Sequence, residues 1–320
     1  DHRDLHSFPT RRSSDLWSQL EFLNPGMLGA HAAFASLGAP RGRHALPEEG
    51  RDLLAKALRP FLFRRTKDAV LPDLPPKVEQ VLSAPMGDAQ RTTYEDLSRY
   101  FRTELSKSKG QRRKERLENP GEVEMHVLSA LTRLRQAACH PGLVDPSLLA
   151  ESSGKLDLLL PMLEELVASG RKAIVFSSFT RLLGLIRTRL ETARIPYHVL
   201  EGATRNRGAV VERFQTAAEG CVFLISLKAG GAGLNLTAAD YVFLMDPWWN
   251  PAAEAQAVDR AHRIGRTRPV HVYRVLTEGT VEARVVELQE RKSDLAKTAL
   301  EGAATGLSDL GPDDLEFLLT

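Results

Sequence analysis

Two arginines have the type and spacing to bind a phosphate. Arg260 and Arg263 lie three residues apart in the segment QAVDRAHRIGR, residues 256–266. Residues three apart lie on the same side of a helix, and the planar guanidinium group forms forked hydrogen bonds with phosphate oxygens. The spacing therefore predicts a helix that presents two cations to a phosphate held elsewhere. Glu254 and Asp259 leave a second interpretation open, in which the arginines form ion pairs along a helix surface.

A glycine-rich turn precedes these arginines. The sequence AGGAG at residues 229–233 contains Gly230, Gly231 and Gly233, and main-chain amides next to glycine can approach a phosphate closely. The spacing does not match the Gly-x-Gly-x-x-Gly pattern of dinucleotide sites. Lys228 and Asn235 on either side can add hydrogen bonds to a phosphate. The glycines alone leave an ordinary tight turn as the alternative.

Short apolar runs alternate with helical patterns after residue 152, as expected for elements that position such a site. The predicted strands are AIVF (173–176), YHVL (197–200), VFLIS (222–226), YVFLM (241–245) and HVYRVL (271–276). Fully apolar strands separated by helices are typical of a parallel sheet covered on both faces, with functional loops at the carboxyl ends of the strands. Ser177, Ser226 and Asp246 follow such ends.

Composition restricts the class of protein. The net charge of +2 is too small to indicate nucleic-acid binding by itself, so a DNA surface would need local clustering of cations. Cys139 and Cys221 lack the spacing of metal ligands or of a disulfide framework, which predicts no metal site and a reducing compartment. The apolar runs are too short to cross a bilayer. We expect no membrane partner and a cytoplasmic location, associated with the nucleoid if the source is bacterial.

Four segments carry a resemblance to a known family. KAIVFSSFT (172–180), YHVLEGATRNR (197–207), SLKAGGAGLNL (226–236) and QAVDRAHRIGR (256–266) occur in the order of the motifs of the Swi/Snf-type DNA-translocating ATPases of helicase superfamily two. The chain resembles this family from about residue 16 to about residue 300. One position departs from the pattern, since Arg266 stands where the family usually has Gln.

The resemblance implies an α/β fold with a parallel-sheet, RecA-like lobe of the helicase C-terminal type, within the P-loop NTPase superfold. Five regions are predicted: a non-native leader (1–15), a remnant of the first RecA-like lobe (16–80), a helical protrusion and linker (81–152), the second RecA-like lobe (153–280) and C-terminal brace helices (281–320). The leader has no sustained periodicity and resembles a translated sequencing adapter. A natural disordered leader is the alternative.

The resemblance also implies roles for individual residues. Arg260 and Arg263 would be catalytic arginines. The ATP cleft would include Gly231, Gly233, Gln256 and Asp259. DNA-backbone contacts would come from Ser177, Ser178, Thr180, Lys228, Gly230 and Asn235. The hydroxyl groups of Ser177, Ser178 and Thr180 have helix capping as a second interpretation. Trp248 and Trp249 are expected to be core or shielding residues, with base stacking as the alternative.

A motor of this class needs a P-loop and an acidic metal-binding motif. Gly154-Lys155 lacks the rest of a P-loop, and the sequence has no Asp-Glu dipeptide. We therefore expect the C-terminal lobe of an ATP-dependent double-stranded DNA translocase that is inactive alone, with ATP and Mg²⁺ bound mainly by the first lobe. A DNA-bound protein complex is a further expected partner. The alternative is a non-catalytic module that binds the DNA backbone or a protein.

Overall fold

The computed structural model describes residues 21–26, 71, 73–107, 120–230, 234–248 and 251–298. The chain divides into two units, residues 1–72 and 73–320. In the first unit, the described part is a helical turn at residues 21–23, after which the amide of Gly26 donates to the carboxylate of Glu21. The six described strands belong to the second unit.

These six strands form one parallel sheet, as predicted. They are β1 (Lys77–Ala84), β2 (Lys172–Ser177), β3 (Tyr197–Leu200), β4 (Cys221–Ser226), β5 (Tyr241–Leu244) and β6 (Val270–Thr277). The order across the sheet is β1-β6-β5-β2-β4-β3. The carboxyl ends of all six strands therefore meet at one edge, where a site is expected.

The first strand was not predicted. It pairs with β6 from Lys77↔Val270 to Ala84↔Thr277, at the edge of the sheet. Its first five residues are exposed, in contrast to β4, which is buried throughout. An edge strand with polar residues lacks the continuous apolar run of a central strand. The predicted boundary at residue 80 falls inside this strand.

Helices cover both faces of the sheet. The eight labelled helices are α1 (Asp88–Lys107), α2 (Pro120–Cys139), α3 (Gly154–Ala168), α4 (Thr180–Thr192), α5 (Arg207–Thr216), α6 (Leu227–Gly230), α7 (Pro251–Val258) and α8 (Val281–Thr298). Side chains alternate along β2, so that Ala173 and Val175 pack with the buried faces of α3 and α4. Ile174 and Phe176 pack on the other face with α5 and α7. A third apolar cluster joins α1, α2 and α8.

The start of α3 fixes the neighbouring helices at the carboxyl edge of the sheet. The hydroxyl of Ser153 caps α3 by accepting from the amide of Leu156. A Cβ atom on Gly154 would lie 1.8 Å from the carbonyl oxygen of Pro85, so only glycine allows this approach. The Gly154 amide donates to the side chain of Gln90 in α1, which in turn donates to the last carbonyls of α2. The helical region is thereby tied to the sheet.

Candidate functional site

The carboxylate of Asp246 joins the ends of β2 and β5. Its Oδ1 atom accepts from the hydroxyl of Ser177 at 2.7 Å and from the amide of Ser178 at 3.0 Å. Its Oδ2 atom accepts from the Ser178 hydroxyl and lies 3.1 Å from Nη2 of Arg135. Ser177 is fully buried, whereas Ser178 is half-buried. The structure therefore brings the two serines together but directs the Ser177 hydroxyl into the protein, which disfavours its predicted contact with DNA.

Arg135, on α2, is a residue of this cluster that the sequence analysis missed. Its Nη2 atom also donates to the Pro247 carbonyl at 2.7 Å, and its guanidinium carbon lies 5.2 Å from the centre of the Phe179 ring and 5.7 Å from that of Trp248. A signal was present, because Arg135 lies four residues after the buried Leu131 on the apolar face of its helix. The half-buried Trp248 shields this arginine, in agreement with its predicted role.

Thr180 lies at the first position of α4 and is exposed. This helix begins without a side-chain cap, so the capping interpretation is wrong for α4. The Ser177 hydroxyl instead accepts from the amide of Phe179, one residue before the helix. Thr180 is thus positioned where a phosphate could reach its hydroxyl, and its contact with DNA stays a prediction.

Lys155 is buried in a second polar cluster and does not resemble a P-loop lysine in its surroundings. Its ammonium donates to the carbonyl of Met245 and to the carboxylate of Glu282 at 2.7 Å, and lies 4.0 Å from the sulfur of Cys139. Burial lowers the pKa of Lys155, but Cys139 and Glu282 more than offset this effect and raise that pKa above its ordinary value. Lys155 therefore anchors α8 to the end of β5 as a structural cation.

The glycine-rich segment follows β4 directly. The structure describes the backbone of Lys228 and Gly230 as part of α6, while Gly231 and Gly233 lie outside the described residues. Asn235 is exposed, and its carbonyl accepts from the amide side chain of Gln215 at 2.9 Å. Asn235 is thus open to a ligand.

The prediction that Arg260 and Arg263 share a helix is wrong. Helix α7 ends at Val258, and both arginines lie in the turns that follow. Partners outside the helix hold this turn: the Arg260 carbonyl accepts from the amide of Leu236, and Nε2 of His262 lies 2.8 Å from the carbonyl oxygen of Pro75. These long-range hydrogen bonds override the local helical pattern. Helical spacing therefore does not place the two guanidinium groups on one face.

Arg260 has one unsatisfied donor in its guanidinium group, as do two other arginines of the described residues. Its Nε atom is buried and has no hydrogen-bond partner within the described part of the chain. Leaving a buried charged donor unsatisfied costs about 1–3 kcal/mol or more. Gln256 on the same segment is exposed, and Asp259 and Arg263 are half-buried. These four predicted residues thus lie within or just after α7, at or near the protein surface.

Glu254 does not belong to a row of surface ion pairs. It is buried on α7, accepts from the amide of Trp248, and lies 3.8 Å from Nη2 of Arg274. Burial raises the pKa of Glu254 to about 7, against the lowering effects of the Trp248 amide and Arg274. The interpretation of a surface laced with ion pairs is therefore wrong for this residue.

Arg266, which replaces the usual Gln, is a buried structural residue. Its guanidinium donates to the carbonyls of Thr237 at 2.8 Å, Ala239 at 2.5 Å and Ala261 at 3.1 Å, and to Oδ1 of Asp240 at 3.0 Å. Burial lowers the pKa of Arg266, and Asp240 opposes this effect. Arg266 thereby fixes the turn after α7 to the loop that enters β5.

Comparison with known proteins identifies the family. The SNF2-related domain matches residues 9–143, and the helicase conserved C-terminal domain matches residues 154–265. The chain belongs to the Swi2/Snf2 family of ATPases. The first match begins inside the predicted leader, whose non-native origin stays a prediction.

Similar proteins include two bacterial proteins that are named ATP-dependent helicases. The chain is 35% identical to the putative ATP-dependent helicase/translocase YwqA of Bacillus subtilis (strain 168), over 97% of this chain and 33% of that protein. It is 32% identical to the uncharacterized ATP-dependent helicase MG018 of Mycoplasma genitalium, over 95% of this chain and 28% of that protein. The chain thus spans about a third of the length of these relatives.

Solved structures agree with the predicted RecA-like fold. The Sulfolobus solfataricus SWI2/SNF2 ATPase core in complex with dsDNA matches with a TM-score of 0.60 and 28% identity, over 96% of this Swi2/Snf2 chain and 64% of that chain. The C-terminal domain of the S. solfataricus ATPase matches with a TM-score of 0.58 and 24% identity, over 76% of this chain and 97% of that domain, which supports the fold alone. Within the described residues, no helix has the length and apolar character of a membrane span.

Proposed function

We propose that this chain is the C-terminal motor lobe of an ATP-dependent translocase on double-stranded DNA, with part of the first lobe. The observation that carries the proposal is the match of residues 154–265, which include Arg260 and Arg263, to the helicase conserved C-terminal domain. The relatives named ATP-dependent helicases and the solved relative in complex with dsDNA support the same assignment.

In this proposal, ATP and Mg²⁺ are bound mainly by the first lobe of the whole protein, and Mg²⁺ neutralises phosphate charge when bound. Arg260 and Arg263 donate to the phosphate from the second lobe, and Gln256 and Asp259 line the cleft with Gly231 and Gly233. The chain alone is expected to hydrolyse no ATP, since its sequence contains neither a P-loop nor an Asp-Glu motif.

DNA binding in this proposal uses the sugar-phosphate backbone. The exposed Thr180 and Asn235 and the half-buried Ser178 would contact phosphates, together with Lys228 and Gly230. Ser177 would orient the turn through Asp246 in place of touching DNA itself. Such contacts carry no base readout, so binding should be independent of sequence and sensitive to salt.

A titration of duplex DNA tests this proposal. Two labelled duplexes of unrelated sequence are titrated with the chain at salt concentrations from about 50 to about 200 mM, where phosphate contacts weaken steeply. We expect similar affinities for both duplexes and a strong loss of binding with salt. Strong preference for one sequence, or no binding to either duplex at the lowest salt, would contradict the proposal.

The proposed location is the cytoplasm, and the proposed further partner is a DNA-bound protein complex. A relative in Oryza sativa subsp. japonica, 35% identical over 94% of this chain and 27% of that protein, is named a probable chromatin-remodeling complex ATPase chain. A motor that tracks the DNA backbone would meet any protein bound in its path. Displacement of a labelled DNA-binding protein by the whole protein and ATP would test this partner, and unchanged occupancy would oppose it.

A further inference from the structure

A polar pocket of about 510 Å³ lies beside the predicted DNA-binding turn. Four of its lining residues come from α2: Ser129, Thr132, Arg133 and Gln136. They follow the spacing i, i+3, i+4 and i+7, which places them on one face of that helix. The rest of the lining consists of Leu143, Val144 and Arg181, the second residue of α4. The pocket therefore lies between the helical region and the turn that contains Ser178 and Thr180.

The lining of this pocket suits an anion. Two guanidinium groups, the hydroxyl of Ser129 and the amide of Gln136 can donate hydrogen bonds into it, whereas the hydroxyl of Thr132 donates to the carbonyl of Leu128. None of the described residues that line it is Asp or Glu. The larger pocket beside α1 differs in this respect, because Glu95 and Glu278 line it together with arginines.

Arg181 is held in place before any ligand binds. Its Nη1 atom donates to the carbonyl of Leu143 at 3.1 Å, and its Nη2 atom donates to that of Gly142 at 3.3 Å. Gly142 is itself closely packed, since a Cβ atom there would lie 2.8 Å from Cα of Leu149. A guanidinium has five N–H donors, so donors remain for a ligand after these two bonds. A cation fixed in this way loses less conformational entropy on binding.

We infer that this pocket binds a backbone phosphate of duplex DNA. Thr132, Arg133 and Arg181 are exposed, as contact with a long polyanion requires, and the exposed Thr180 directly precedes Arg181. The lining contains no aromatic ring on which the base of a free nucleotide would stack, which favours a backbone phosphate. The choice of DNA rests on the proposed function. The pocket extends the predicted contact surface from the start of α4 onto α2.

Charge-removing variants of the 320-residue chain test this inference. Arg133→Gln and Arg181→Gln, singly and together, are compared with the wild type in duplex titrations at several salt concentrations. Because both arginines contact the same phosphate, the double variant should lower the slope of log affinity against log salt by about one, and each single variant by no more than that. At low salt, we expect the affinity of the double variant to fall about tenfold or more, equally for unrelated sequences.

Two controls separate binding from folding and from net charge. Arg187→Gln removes the same charge from an exposed position on α4 outside the pocket, and should bind like the wild type. Arg181→Lys keeps the positive charge but loses the planar guanidinium group that can form two parallel hydrogen bonds. Its affinity for duplex DNA should lie between those of the wild type and Arg181→Gln. If Arg181→Gln fails to fold in a thermal melt, the exposed Arg133→Gln alone decides the question.

The outcomes distinguish the inference from the function on which it rests. If the wild type binds duplexes and Arg133→Gln binds equally well with an unchanged salt slope, the pocket assignment is overturned and DNA binding stands. If the variants lose affinity for inorganic phosphate or ATP but not for duplexes, the pocket serves a free phosphate and the inference is also wrong. If the wild type binds no duplex, the proposed DNA-binding function is wrong, and the assignment of the pocket to DNA is wrong with it.

Discussion

The Nη2 atom of Arg135 lies 3.1 Å from Oδ2 of Asp246, and both side chains are buried. This contact joins α2 to the end of β5. Because Asp246 also binds Ser177 and Ser178, the same contact orders the turn that leads into α4. The helical region thus supports the loops at the carboxyl edge of the sheet, which include the predicted site residues Ser177 and Ser178.

Removing one partner of this buried pair should destabilise the fold strongly. Arg135→Gln or Asp246→Asn leaves the other charge buried and uncompensated, which typically costs about 3–5 kcal/mol. Urea unfolding of each variant measures the loss. Arg99→Gln is the matched control, because Arg99 pairs with Asp96 at the surface, where such a pair contributes about 0–1 kcal/mol. Equal losses for the buried and exposed pairs would contradict this account.

Arg266 should be required for stability. Arg266→Gln restores the residue usual in the family but removes donors to several buried carbonyls and to Asp240. Each unsatisfied buried group costs about 1–3 kcal/mol, so we expect a loss of about 3 kcal/mol or more in urea unfolding. Arg268→Gln is the control, since Arg268 is 56% exposed and also pairs with Asp240. A loss no greater than that of the control would show that Arg266 is not a structural clamp.

The raised pKa of Glu254 predicts a pH dependence of stability. Its carboxyl has a pKa of about 7 in the folded protein, against an ordinary value of 4.5, because burial disfavours its charge. Between these values the folded state holds a proton that the unfolded state has released. Stability should therefore fall as the pH rises from about 4.5 to about 7, by about 3 kcal/mol, and level off above that range.

Glu254→Gln isolates this effect from other titrations. The carboxyl is surrounded by Arg274, Asp246 and Arg135, which all remain in the variant. Unfolding free energies at about pH 5 and about pH 8 should show that the wild type loses stability relative to the variant as the pH rises. A constant difference between the two proteins would mean that Glu254 keeps an ordinary pKa.

The sheet was largely predictable because burial shapes its sequence. Strands β2 to β6 are apolar runs, and their predicted positions agree with the structure. The first strand escaped prediction because its exposed edge position permits the polar sequence KVEQ at residues 77–80. The end of α7 at Val258 was also not predicted, because the hydrogen bond from the Leu236 amide to the Arg260 carbonyl comes from a segment distant in sequence.

The buried charges were the least predictable part of the site. Lys155 and Arg135 belong to residue types that are rarely buried unless they are paired. Here Glu282 pairs with Lys155 and Asp246 pairs with Arg135, which compensates the buried charges. Those partners lie more than one hundred residues away along the chain. Local patterns carry no information about such pairing. The motifs that contain Ser178 and Arg260, by contrast, are local, so the sequence could single them out as candidates without knowledge of the fold.

DNA-stimulated ATP hydrolysis by the whole protein tests the central claim most directly. Arg260→Ala and Arg263→Ala should each lower turnover about a thousandfold, roughly 4 kcal/mol, because an arginine finger stabilises charge on the transferring phosphoryl group. Both variants should still fold and bind nucleotide. Lysine at position 260 or 263 should restore little turnover, because it lacks the planar guanidinium group. The control variant Arg268→Ala, at an exposed position, should hydrolyse ATP like the wild type. Near-normal turnover in both variants would contradict the account and leave Arg260 and Arg263 as structural charges.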